Sequence, residues 1–107
     1  MSAEAAFAQL VRELTSAHDD VQLGQQGKRG FGSDALATRG KIFAMVTGGA
    51  LVLKLPRQRV EELVADGRGA PFQLGKRVMK EWVALTSVDL DTVRPLTDEA
   101  RAFVMVG

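Results

Sequence analysis

Cysteine and tyrosine are absent from this sequence, and histidine and tryptophan occur once each. Without cysteine there is neither a disulfide framework nor a thiolate site, a composition that fits a reducing compartment. With no Cys, no Tyr and the single His18, nucleophilic catalysis would need a Ser-Lys pair. No apolar run approaches the ~20 residues that a membrane span needs. The N-terminus carries Glu4 and lacks the basic segment and apolar stretch of a signal peptide. A cytoplasmic protein without membrane attachment is expected.

Charge of one sign is also lacking, since the net charge is +1. The distribution is less even. Residues 21–60 hold Lys28, Arg29, Arg39, Lys41, Lys54, Arg57 and Arg59 against one acid, Asp34, while the two ends are net acidic. Segregation of this kind marks either an anionic partner or a solvated face balanced in three dimensions.

What is present is an ordinary globular balance, 46% apolar and 25% charged over 107 residues. That length fits one domain, residues 1–107, with one core. Residues 3–17 read as an amphipathic helix, with Phe7, Leu10, Val11 and Leu14 on one stripe and Ser2 as N-cap. A short strand is expected at 21–23, then a loop through Gly24, Gly27, Gly30 and Gly32. Two hairpins follow. Strand 35–38 turns at Arg39-Gly40 into strand 41–47, which turns at Gly48-Gly49 into strand 50–55. Gly-Gly suits the positive φ of a tight turn; Arg39 suits it less well.

The Gly48-Gly49 turn predicts pairing of Val46 with Leu51, Ala44 with Leu53 and Ile42 with Leu55, an apolar face that must be buried. The other face carries Met45 with Val52 and Phe43 with Lys54. The Arg39-Gly40 turn places Leu36 beside Phe43 there. Leu36, Phe43, Met45 and Val52 are therefore the expected partner surface, for a protein partner or a second copy of the chain, unless another element covers them. Pro56 opens a second helix bearing Val60, Leu63 and Val64, and Asp66-Gly67 ends it. Residues 68–77 read as a loop anchored by Pro71-Phe72, 78–85 as a strand, and 91–105 as a last helix with a loose first turn before Pro95. The fold class is α+β: an antiparallel sheet of two hairpins plus a later strand, packed with N-terminal, middle and C-terminal helices.

Motifs of established chemistry are not met. Gly30-Phe31-Gly32-Ser33-Asp34-Ala35 has dinucleotide-loop spacing, but a strand follows it and Lys54 stands where an acid is needed. Gly27-Lys28 is followed by Arg29 and lacks the earlier glycine of a phosphate loop. His18-Asp19-Asp20 reads as a helix end rather than a metal or proton-transfer site. Lys41 or Lys80 could partner a serine, yet no spacing selects either. No catalytic, metal or cofactor site is assigned. A second functional reading uses Lys28, Arg29, Arg39, Lys41, Lys76, Arg77 and Lys80 with Trp82, since cations around an aromatic suit phosphate contact and base stacking. Its alternative makes Trp82 a core residue beside a wet strand end.

The runs Gly40-Lys41-Ile42-Phe43-Ala44-Met45-Val46, Leu51-Val52-Leu53-Lys54-Leu55-Pro56, Gly69-Ala70-Pro71-Phe72 and Met79-Lys80-Glu81-Trp82-Val83, with Phe31-Gly32-Ser33 ahead of them, resemble the TfoX/Sxy N-terminal domain family. A more distant likeness is to MmcQ/YjbR proteins. The resemblance implies a small bacterial α+β fold of the secretion-chaperone-like kind and a regulatory or protein-interaction role with no established enzymatic activity. It covers only the first domain of the competence regulators that name the family, and it supplies no catalytic residues.

Overall fold

The computed structural model describes residues 2–23 and 35–106. The glycine segment 24–34, with Lys28, Arg29 and the Gly30-Phe31-Gly32 motif, lies outside the described residues. The elements run α1 (Ala3–Ala17), β1 (Val21–Leu23), β2 (Ala35–Thr38), β3 (Lys41–Thr47), β4 (Ala50–Lys54), α2 (Arg57–Ala65), β5 (Gly69–Leu74), β6 (Arg77–Leu85) and α3 (Leu90–Val106). The six strands form one antiparallel sheet in the order β1-β2-β3-β4-β6-β5. No helix among the described residues is long and apolar enough to cross a membrane.

The helices begin and end where their local chemistry demands. The Ser2 hydroxyl accepts the Ala5 N–H at 3.1 Å, satisfying one orphan donor of α1. Helix α2 follows Pro56 and closes at Gly67, whose φ of 77° lets its N–H reach the Val64 carbonyl while the Arg68 N–H reaches that of Leu63. In α3 the sequence reading is corrected. The helix runs unbroken from Leu90 through Pro95, with Asp89 accepting the N–H groups of Thr92 and Val93. Pro95 faces solvent, so the bond it fails to make to the Asp91 carbonyl is lost on the wet side.

The central hairpin has the expected register: Ala44 pairs with Leu53, Met45 with Val52, Val46 with Leu51 and Thr47 with Ala50. Gly48 and Gly49, at φ 60° and 76°, supply the left-handed turn. Arg39 and Gly40 make a second such turn, at φ 53° and 80°, so Arg39 accepts a conformation that costs a side-chain-bearing residue about 1–2 kcal/mol.

One expectation fails on this hairpin. β2 meets β3 with a register shift: Ala37 pairs with Ile42 but Leu36 with Ala44, leaving Phe43 as a bulge. Phe43 and Ala44 therefore both enter the main core, and Leu36 follows them. Ile42 moves the other way and joins Met45 and Val52. The main core unites Phe7, Leu10 and Leu14 of α1, Leu63 of α2 and Val93, Leu96 and Ala100 of α3 with one sheet face. The opposite face carries a smaller cluster of Ala35, Met45, Val52 and Trp82. Leu36, Phe43, Met45 and Val52 are all buried within the single chain. The exposed patch expected of them does not exist, because the bulge carries two of them under the helices and the other two lie in the second cluster.

Residues 69–74, read as loop, are an edge strand. Gly75, at φ 62°, turns β5 into β6, with Leu74 opposite Arg77. Pro71 is compatible with a strand at this position because an edge strand leaves one side of its ladder unpaired.

The three helices are tied by ion pairs that converge on α3. Arg94 grips Glu13 of α1 with two bonds of 3.0 and 2.8 Å, Arg59 of α2 grips Glu99 with two of 2.9 and 3.2 Å, and Arg101 reaches Asp20 at 3.0 Å. The Arg94 guanidinium, helped by the Gln9 amide, lowers the Glu13 pKa from 4.5 to about 2. A depressed carboxylate pKa contributes stability that is full above 4.5 and is lost as pH falls toward 2. Both side chains are partly exposed, so solvent screening keeps the contribution small. Glu13→Gln should therefore destabilise the protein at pH 6, with the deficit vanishing near pH 2 in urea titrations. A deficit of equal size at both pH values would refute the assignment. Gly69 tests the sheet. A Cβ there would collide with the side chain of Val83, which is fully buried. Gly69→Ala should lower the unfolding free energy by about 1–3 kcal/mol, seen as a lower urea midpoint at unchanged slope.

Candidate functional site

Two local features open a groove beside β6. The first is the end of β4, where the Leu55 N–H bonds the Glu81 carbonyl at 3.0 Å and Pro56 then starts α2. Helix α2 is thereby held against β5 and β6. The second is a large bulge. Pro71 pairs with Val83, but the next residue, Phe72, pairs with Met79, so Lys80, Glu81 and Trp82 arch away from β5. The break falls at Pro71, which has no N–H to give. The arched segment turns to β4 instead, where Trp82 pairs with Lys54.

Between α2 and the arch lies a recess of about 360 Å³ walled by Val60, Val64, Ala65, Pro71, Val78, Met79 and Trp82. Arg57, Val60, Glu61, Val64 and Ala65 fall at i, i+3, i+4, i+7 and i+8, one stripe of α2. Arg57, Val78, Met79, Lys80 and Trp82 also bound a second recess of about 690 Å³, whose further walls are Lys54, Arg77 and Glu81. The two form one groove with an apolar trough and a cationic mouth.

The mouth carries Lys54, Arg57, Arg77 and Lys80 against Glu61 and Glu81. Arg57 is engaged, its Nε 3.1 Å from Glu61 Oε2. Lys54 sits over the Trp82 ring, its Nζ 5.8 Å from the centroid. Arg77 and Lys80 pair with no carboxylate among the described residues. Trp82 is 8% exposed, a wall of the groove rather than a platform.

The residues named from the sequence are partly reunited. In the antiparallel order, the β2–β3 turn with Arg39 and Lys41 and the β5–β6 turn with Lys76 and Arg77 fall at the same end of the sheet. Arg39 is held there by Asp20 at 3.5 Å, whose carboxyl is pushed below its ordinary range first by the Arg101 hydrogen bond. Lys28 and Arg29 are outside the described residues. Sequence reasoning missed Lys54, Arg57 and the α2 stripe. The signal available was Gly75 two residues before a strand, which marks a hairpin and so an edge for α2 to pack on.

The remaining candidates have structural work. His18 ends α1, its N–H on the Leu14 carbonyl at 3.0 Å. The Ser87 hydroxyl accepts the Asp89 N–H at 3.2 Å at the start of α3. No group of three His, Cys, Asp or Glu that could hold a metal occurs among the described residues. The chemistry the groove offers is noncovalent: shelter for an apolar body and attraction for an anion. In comparisons with known proteins, no family model matches the chain, and no significant match occurs among curated proteins or solved structures.

Proposed function

We propose that the chain is a small, non-enzymatic regulatory or protein-interaction domain of the kind that the TfoX N-terminal resemblance implies, working in a bacterial cytoplasm. Its contact surface on this reading is the tip of the β5–β6 hairpin, in place of the central hairpin. The observation that carries it is exposure. Leu74 and Val78 stand 41% and 46% exposed on this one hairpin, while Phe43, Met45 and Val52 are buried. Lys76, Arg77 and Lys80 surround the pair, all exposed. An apolar centre inside a charged rim is how a protein interface is built. Pro71 interrupts the donors of the edge strand, so contact would run through side chains rather than by strand addition.

A second reading, nucleic-acid binding, is favoured by the shared sheet end of Arg39, Lys41, Lys76, Arg77 and Lys80. Trp82 is too buried to stack bases, so binding would rest on phosphates alone and be indifferent to sequence.

Purification of the tagged chain from its native cell decides between them, run beside a Leu74→Asp/Val78→Asp variant. Both positions are exposed, so the variant should fold with stability within about 0.5 kcal/mol of the parent. The expected result is a protein identified by mass spectrometry, or a dimer seen in sedimentation, that is present with the parent and lost with the variant. Equal recovery on both chains would overturn the hairpin assignment. Recovered nucleic acid, released with a salt slope of about −0.7 per phosphate contacted, would replace it with the second reading.

A further inference from the structure

The groove beside Trp82 is chemically divided along its length, and that division specifies a ligand. One end is lined by Val60, Val64, Pro71, Val78 and Met79, with few polar atoms. The other end gathers Lys54, Arg57, Arg77 and Lys80, an excess of cations over Glu61 and Glu81. The apolar recess, about 360 Å³, lies within the range of small-molecule sites.

We propose that this groove is a binding site for a small amphiphilic anion, an aliphatic or aromatic chain ending in a carboxylate. The chain lies in the trough between α2 and β6. The carboxylate lies at the mouth against Lys80 and Arg77, which pair with no carboxylate among the described residues and, unlike Lys54, are not set over the Trp82 ring. Charge complementarity selects the sign. A cationic or neutral head would leave those two groups uncompensated beside an apolar wall, and a carboxylate satisfies them. A nucleotide fits less well: Trp82 is only 8% exposed, and the Lys54 ammonium stands over its ring. This site shares Arg77, Val78 and Lys80 with the partner reading and differs from it in the trough walls Val60, Val64 and Pro71.

The single tryptophan makes the groove its own reporter. Titrations of the full chain with hexanoate, octanoate, octanol and octyltrimethylammonium would be followed by Trp82 fluorescence and repeated by calorimetry. Octanoate is expected to bind saturably, about tenfold tighter than octanol, as one charge-assisted contact in a half-open site provides. Octyltrimethylammonium should bind weakest, and the step from hexanoate to octanoate should tighten binding about threefold per methylene. Arg77→Gln/Lys80→Gln, both at exposed positions, should erase the octanoate advantage and leave octanol within about twofold. Val78→Asp should weaken octanoate and octanol together. Octanoate and octanol binding alike to the parent chain would overturn the proposal, as would an unchanged octanoate affinity in the double variant, no chain-length dependence, or no saturable binding by either method. Loss of octanoate binding alongside intact partner capture would remove this site and leave the partner reading standing.

Discussion

The turn at Gly48-Gly49 sets the register on which the other strands depend. Its two left-handed residues, at φ 60° and 76°, allow only two residues between β3 and β4 and so fix Thr47 opposite Ala50. Everything outward is indexed to that pair. Val52 and Leu53 then meet Ala84 and Val83 of β6, and Ala44 meets Leu36 of β2. A slip of one residue would take Leu51 and Leu53 out of the helix-covered core and put Val52 and Lys54 in their place. The Lys54 ammonium would then be buried among leucines without a partner, at a cost of several kcal/mol, a large share of the stability of a chain this size.

Features governed by neighbours in the chain were legible. The Ser2 cap, the α1 stripe, the Gly67 stop and the β3–β4 register all follow from contacts within a few residues. The Phe43 bulge was not legible. Ile42 to Val46 is apolar throughout, so alternation carries no mark of which face each residue takes. The choice belongs to the tertiary core, which takes in Phe43 and Ala44 together. Pro71 misled for a related reason. A proline argues against a central strand but not against an edge, and which strand is the edge is a property of the whole sheet. Pro95 shows the same dependence: α3 buries Val93, Leu96 and Ala100 around it, and that packing outweighs one absent bond.

The candidate site inherits this division. Arg77, Lys80 and Trp82 were singled out from the sequence because they are close along the chain. Lys54, Arg57 and the Val60/Val64 wall reach them only through the β4–β6 pairing and the docking of α2. The groove exists because β6 cannot keep its ladder with β5 past Pro71, and because two of the residues so released, Glu81 and Trp82, find their partners at Leu55 and Lys54. A residue that weakens the edge as a strand thus opens the recess beside it.

The near balance of 14 cations and 13 acids conceals how unevenly the charges are used. Arg59 and Arg94 hold their carboxylates through two bonds each, the planar fork matched to the carboxylate, and Arg101 holds Asp20 across the same helical layer. Those acids are consumed in joining α1, α2 and the β1 approach to α3. These pairs are partly exposed, so salt weakens them as it weakens other surface pairs. At the groove mouth Arg57, Arg77 and Lys80 are exposed and Lys54 is half-buried, and the acids lining the groove are Glu61 and Glu81, the first of which is bound to Arg57. Lys28, Arg29 and Asp34 together account for the net +1, so the described residues balance at 12 cations and 12 acids, and within that balance the groove mouth gathers four cations against two acids.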